Sequence, residues 1–306
     1  MPELPEVETI KTGLQKKIVG LKITKIQVNS PKSFLGNPNL IEDKKVLKVW
    51  RKAKILGIDL DSDQSSAISR QTKNKKSLKA EDRRLTTILI HLKMTGQLIY
   101  DDGQRFVGGH PTHDMKDNMP NSHTRVIFSF SDGSHLYFND QRRFGWIKVI
   151  ENWKLENENL LGHLGPEPLE KGFSWDILKT RLLRRKSIPV KVALMDQTVI
   201  SGVGNIYASE ACFNAKIDPE TKVKDLSDAQ FKSLHKGVIK SLQDGIKYGG
   251  ASRAHFVDAE GHKGYFLDYA FVYGRDKHPC KKCKTEIKKI TLGGRGTYFC
   301  PKCQKL

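Results

Sequence analysis

The sequence predicts an α+β chain in three parts: a β-sandwich with a leading helix, a helical half, and a small C-terminal hairpin ribbon. Three observations lead there. Apolar residues recur every three to four positions over residues 4–19 and again beyond residue 174, whereas residues 21–150 hold short β-rich runs separated by turns. Four of the five cysteines lie near the C-terminus as two Cys-x2-Cys pairs. With 306 residues, 38% of them apolar, the chain can bury more than one core.

Taken in order, the leading helix follows from Val7, Ile10, Leu14 and Ile18 on one face, with Pro5 in the first turn, where its missing N–H costs nothing. Strands are expected at 21–28, 46–50, 55–60, two within 85–100, and at 124–130, 135–139 and 146–150. Roughly eight short strands at this spacing argue for a sandwich with the helix laid against it. Residues 61–84 are nearly free of large apolar side chains, and residues 101–122 lack periodicity. Both read as inserted mobile loops. The Gly- and Pro-rich segment 162–168 reads as a hinge, and helices are expected at 174–185, 189–197, 205–215 and 225–247.

The C-terminal spacing, Cys280-x2-Cys283, sixteen residues, then Cys300-x2-Cys303, fits a four-thiolate structural zinc ribbon. Between the pairs, 287–291 and 297–299 flank a glycine-rich tip that carries Arg295. Residues 271–306 hold ten Lys or Arg against two Asp or Glu, and the whole chain carries +19. Such a balance points to nucleic acid first and an anionic membrane surface second. No apolar run approaches the ~18 residues of a spanning helix, and no secretory leader is evident. The expected location is cytoplasmic, associated with the nucleoid. Cys212 reads as a small buried hydrophobe.

Three segments carry chemistry. Removal of Met1 would leave Pro2 as a secondary amine, able to attack a carbonyl carbon and form a Schiff base, with Glu3 beside it and Glu6 one turn on. An ordinary capped helix start is the alternative. Around Gly202-Val203-Gly204-Asn205 the sequence reads helix, glycine turn, helix, in which backbone amides at a helix N-terminus approach a phosphate; a purely structural helical hairpin is the other reading. Arg142-Arg143-Phe144-Gly145 sits in a hairpin turn. Its Arg and Phe either wedge into a base stack or fold back as ordinary surface.

Together these residues resemble the formamidopyrimidine-DNA glycosylase family. The resemblance rests on Pro2-Glu3-Leu4-Pro5-Glu6-Val7-Glu8-Thr9, Arg51-Lys52-Ala53-Lys54, His91-Leu92-Lys93-Met94-Thr95-Gly96, Arg142-Arg143-Phe144-Gly145, the segment from His163 to Leu169, the segment from Gly202 to Glu210, and the terminal ribbon. It implies a β-sandwich domain at 2–155, a linker at 156–173, a helix–two-turns–helix domain with a lesion-capping loop at 174–270, and a zinc finger at 271–306. The implied enzyme is a monomer that binds damaged or abasic double-stranded DNA. It excises oxidised purines through the Pro2 amine and cuts the strand by β,δ-elimination.

By the same resemblance Glu3 is the acid/base with Glu6 in support, Lys54 assists β-elimination, and Arg295 serves δ-elimination. Met94, Arg142 and Phe144 fill the hole left by the flipped base, and His123, Lys186, Lys191 and Asn205 contact phosphates. The four cysteines hold one structural zinc. The capping loop, near 249–266, diverges from the family pattern and leaves base preference open. A same-fold enzyme for oxidised pyrimidines and a non-catalytic zinc-ribbon DNA-binding protein are the rival readings.

Overall fold

The computed structural model describes residues 1–61, 86–109, 118–151, 159–250 and 266–305. Most of the first expected insertion, residues 110–117 of the second, and 251–265 of the expected capping loop lie outside these described residues. The chain divides into two compact units. The first holds Met1, Ile10–Arg51 and Ile55–Gly162; the second holds Pro2–Thr9, Lys52–Lys54 and His163–Leu306. Helix α1 (Leu4–Ile18) serves both. Leu4 is buried in the core of the second unit, while Ile10, Leu14 and Ile18 are buried in the first.

The first unit contains ten strands among the described residues: β1 (Ile23–Val28), β2 (Phe34–Leu35), β3 (Val46–Lys52), β4 (Ile55–Leu60), β5 (Thr86–His91), β6 (Gly96–Asp101), β7 (Arg105–Gly109), β8 (Thr124–Phe130), β9 (His135–Asp140) and β10 (Trp146–Glu151). They form two five-stranded sheets, ordered β1-β8-β9-β6-β7 and β2-β10-β5-β4-β3. Near-continuous apolar runs on β4 and β5 make both faces of the sheet apolar along these strands. On β5, Ile88 and Ile90 face one way. Leu89 faces the other, in a cluster with Ile55 and Ile150 that Trp50, Trp146 and Leu161 cover. Gly57, opposite Leu89, leaves room for the Trp50 ring, since a Cβ there would stand 2.2 Å from Trp50 Cε2.

Strand β7 corrects the reading of 101–122 as a loop. Asp101 to Arg105 turn through Gly103 at φ +95, the Asp101 and Asp102 carboxylates accept from the Gly103 and Gln104 amides, and the chain returns antiparallel along β6. No alternation marks this strand because it ends in glycines that make room for neighbours. A Cβ on Gly108 would lie 2.3 Å from Ile10 Cγ1. Helix α1 therefore rests on the face of this sheet that carries Leu98, the partner of Gly108. A short helix α2 (Asn159–Gly162) closes the unit.

In the second unit, α3 (Trp175–Leu183), α4 (Val190–Leu194), α5 (Asn205–Ala215) and α6 (Asp228–Lys247) surround a core that includes Leu178, Leu194, Ile200, Ala211, Leu234 and Leu242. Ser174 caps α3, and Ser227 with Gln230 forms a capping box on α6. Helix α7 (Phe266–Tyr269) leads into a hairpin of β11 (Lys288–Leu292) and β12 (Arg295–Phe299). Buried Glu210 ties α5 to the ribbon, its carboxylate accepting from the Phe271, Val272 and Tyr273 amides, each at 2.9 Å. Among the described residues no helix is long and apolar enough to cross a membrane.

Candidate active site and zinc centre

Helix α5 begins immediately after Gly202-Val203-Gly204, so its first amides have no carbonyl one turn back and need an external acceptor. That acceptor is Glu3. Its Oε2 accepts from the Gly204 amide at 2.7 Å and the Tyr207 amide at 3.4 Å, and its Oε1 from the Ile206 amide at 2.9 Å. The approach requires Gly204, where a Cβ would stand 2.4 Å from Glu3 Cδ. The sequence alone points to a phosphate at these amides. In the structure a protein carboxylate takes them, for the same electrostatic reason.

Glu6 completes the start of α1. Its Oε2 accepts from the Glu3 amide at 2.7 Å, and its Oε1 accepts from the Tyr207 hydroxyl at 2.6 Å. Lys54 donates to the Val203 carbonyl at 2.9 Å. Pro2, Glu3, Glu6 and Lys54 are all buried. Burial raises the Glu3 carboxyl pKa and lowers that of the Lys54 ammonium, while the attraction between the two opposes both shifts. Each group therefore moves toward neutral pH, the direction that suits proton exchange.

Lys191, on α4, is fully buried and donates to Asn205 Oδ1, while Asn205 Nδ2 donates to the Gly296 carbonyl of β12 at 3.0 Å. The resemblance implies that Lys191 contacts a phosphate; in the structure its side chain is buried beside Asn205. Its ammonium is enclosed, and burial lowers its pKa to about 8. Lys186 and Arg295 are exposed, the former in the loop before α4 and the latter at the start of β12. Cys212 is buried, and burial pushes its thiol up to about 12, in keeping with a small buried hydrophobe.

The Sγ atoms of Cys280, Cys283, Cys300 and Cys303 lie within 4.8 Å of one another, with Cys280 to Cys303 at 3.9 Å and Cys283 to Cys300 at 3.4 Å. A tetrahedral zinc with ~2.3 Å bonds needs sulfur separations of about 3.8 Å. The four thiols fit one structural zinc ion, and they surround the root of the hairpin whose tip carries Arg295.

In the first unit, the turns after β5, before β8 and after β9 are laced together. The Asp140 carboxylate accepts from the Thr95 hydroxyl, from the Arg142 amide at 3.2 Å and from the Gly145 amide at 2.6 Å. Its own amide donates to the His123 carbonyl at 3.0 Å. These bonds bring together the segments that carry Met94, His123, Arg142 and Phe144. The Arg142 guanidinium sits 4.9 Å above the Phe144 ring, and Phe144 is 54% exposed, so the ring does not fold back into the core.

Three family models match the chain: the formamidopyrimidine-DNA glycosylase N-terminal domain over residues 1–147, the formamidopyrimidine-DNA glycosylase H2TH domain over 164–256, and a zinc finger found in FPG and IleRS over 277–306. The chain belongs to the formamidopyrimidine-DNA glycosylase family.

The formamidopyrimidine-DNA glycosylase of Pelotomaculum thermopropionicum is 38% identical over the full length of both chains, and that of Heliobacterium modesticaldum 34% over the full length of both. Among solved structures, the complex between the Lactococcus lactis Fpg and an abasic-site-containing DNA superposes with a TM-score of 0.79 at 28% identity, covering 99% of this chain and all of that one. The MutM (FPG) protein from Thermus thermophilus gives 0.78 at 29% identity, covering 99% and 98%. Sequence reasoning missed Tyr207 and Asp140. Tyr207 lies inside a family motif, but nothing local signals that its hydroxyl meets Glu6. Asp140 stands two residues before the Arg142-Arg143-Phe144-Gly145 turn, and nothing local signals that its carboxylate holds that turn.

Proposed function

We infer that this protein is a DNA base-excision repair enzyme, a bifunctional formamidopyrimidine-DNA glycosylase and abasic-site lyase. It removes oxidised purines, 8-oxoguanine and formamidopyrimidines among them, from duplex DNA and then nicks the strand. The observation that carries this reading is the buried group formed by Pro2, Glu3 and Lys54 at the N-terminus of α5.

A base in duplex DNA is out of reach until its nucleotide is flipped, at a cost of a few kcal/mol. With Met1 removed, the Pro2 nitrogen attacks C1′ of the flipped nucleotide. The bond from C1′ to the base breaks, the sugar ring opens with a proton supplied by Glu3, and an iminium joins Pro2 to C1′. That cation acidifies the C2′ proton. Its removal, assisted by Lys54, expels the 3′ phosphate, and a second elimination aided by Arg295 expels the 5′ phosphate. Hydrolysis of the iminium frees Pro2.

Met94, Arg142 and Phe144 fill the vacated stack, and His123, Lys186 and Asn205 hold phosphates, with Lys191 acting through Asn205. Zinc holds the ribbon and takes no part in bond breaking. The protein acts as a monomer in the cytoplasm, on nucleoid DNA. Borohydride reduction tests the assignment. An adduct with 8-oxoguanine duplex that maps to the N-terminal peptide is expected; an adduct on a lysine, or full activity of a Pro2→Gly variant that retains Met1, would overturn it.

A further inference from the structure

Tyr207 is buried to 1% exposure, and it meets both carboxylates of the site by different atoms. Its amide donates to Glu3 Oε2 at 3.4 Å, and its hydroxyl donates to Glu6 Oε1 at 2.6 Å. The opposite oxygen of Glu6 receives the Glu3 amide at 2.7 Å. A single path of hydrogen bonds therefore runs from the phenol through the Glu6 carboxylate to the peptide that joins Pro2 and Glu3. The ring is held on two sides. Gly245 of α6 leaves the space it occupies, since a Cβ there would lie 2.5 Å from Tyr207 Cε1, and the Phe266 ring packs at 5.0 Å. An aromatic ring locked by packing aims its hydroxyl with little freedom to lose.

We propose that Tyr207 is a positioning residue of the reaction: its hydroxyl fixes the Glu6 carboxylate, and Glu6 in turn fixes the Pro2-Glu3 peptide, setting the direction from which the amine meets C1′. The inference rests on the catalytic reading above. The Tyr207 hydroxyl acts through Glu6 and not by contact with a reacting atom. A misplacement of order 1 Å at the reacting centre can cost a hundredfold in rate, and a hydrogen bond to a charged group is worth about tenfold to a hundredfold.

The test is a double-mutant cycle in single-turnover excision of 8-oxoguanine from duplex, with wild type, Tyr207→Phe, Glu6→Gln and the double variant. Tyr207→Phe is expected to slow excision at least tenfold, with the dissociation constant for lesion duplex changed less than about threefold. In the Glu6→Gln background the same substitution should cost less than about twofold. An equal factor in both backgrounds, or a loss confined to duplex binding, would overturn the proposal and return Tyr207 to packing alone. Should Tyr207→Phe fail to fold, Glu6→Gln by itself carries the test: it should slow excision at least tenfold with the dissociation constant for lesion duplex changed less than about threefold, and an unslowed Glu6→Gln would overturn the proposal. Wild-type protein that releases no base from any oxidised-purine duplex would sink the catalytic reading first, and this inference with it.

Discussion

Glu3 and Gly204 stand 201 residues apart in sequence and are joined by a 2.7 Å hydrogen bond from amide to carboxylate. This bond brings the second and third residues of the chain to the positive end of α5. It also places a burial-shifted carboxylate next to the amine proposed as nucleophile. Glycine at 204 is required for the contact, because any side chain there would occupy the space of the Glu3 carboxylate.

Glu3→Gln is expected to abolish base release from damaged duplex while some cleavage remains at a preformed abasic site, where no base has to depart. The carboxamide keeps one accepting oxygen for the α5 amides, but its NH2 faces an N–H donor where the second oxygen stood, so the melting temperature should fall modestly. Cleavage rates on the two duplexes, measured side by side, decide the matter; equal loss on both would assign Glu3 to every step or to structure alone.

The Arg142 and Phe144 side chains are exposed, and their mutual contact is worth only about 0.5–1 kcal/mol. Arg142→Ala and Phe144→Ala should therefore leave the melting temperature nearly unmoved. Arg142→Ala should slow excision most opposite cytosine, whose O2 and N3 a guanidinium can reach, by on the order of tenfold to a hundredfold. Phe144→Ala should weaken lesion binding whatever the opposite base. A flat Arg142→Ala profile across the four opposite bases would contradict the first claim.

Cys280→Ser should release the zinc ion and weaken DNA binding, while the strands of the first unit keep their fold. Ribbon modules draw much of their folding free energy from the metal. Metal analysis and circular dichroism read the two effects; purified wild-type protein with no zinc would defeat the prediction.

Lys191 makes stability depend on pH. Its pKa is about 8 in the folded chain against 10.5 for an ordinary lysine, so between those values the folded state binds fewer protons than the unfolded one. Stability contributed by this residue accordingly rises with pH through that window, and below about pH 8 the enclosed charge is a standing cost. Cys212, held up at about 12, acts with the opposite sign above pH 9. The difference between wild type and Lys191→Met isolates the lysine. The variant should gain stability relative to wild type at pH 7 and lose that advantage by pH 10 in denaturant titrations, and it should weaken lesion-duplex binding because Asn205 loses its anchor. A constant difference across this range would show that the lysine does not titrate there.

Local pattern carried much of this protein. Apolar spacing placed α1 and α5 within a residue of where they lie, because a helix needs only its own backbone and one sticky face. The cysteine spacing placed the metal ligands, because each pair spans one knuckle. Short motifs named the carboxylates and the exposed Arg–Phe turn. What local pattern could not carry was which group would satisfy which. Strand β7 was invisible because its glycines answer to Ile10 and Gly96 and not to an alternation of their own. The α5 amides read as a phosphate site until tertiary packing delivered Glu3 to them. Lys191 reads from the sequence as a phosphate contact, and only the fold encloses it and turns it to Asn205; the Tyr207 hydroxyl finds its partner only when Glu6 arrives from the other end of the chain. Periodicity reports which side of an element must leave water. Hydrogen-bond partners two hundred residues apart are chosen by the three-dimensional packing, where every buried donor has to find its acceptor.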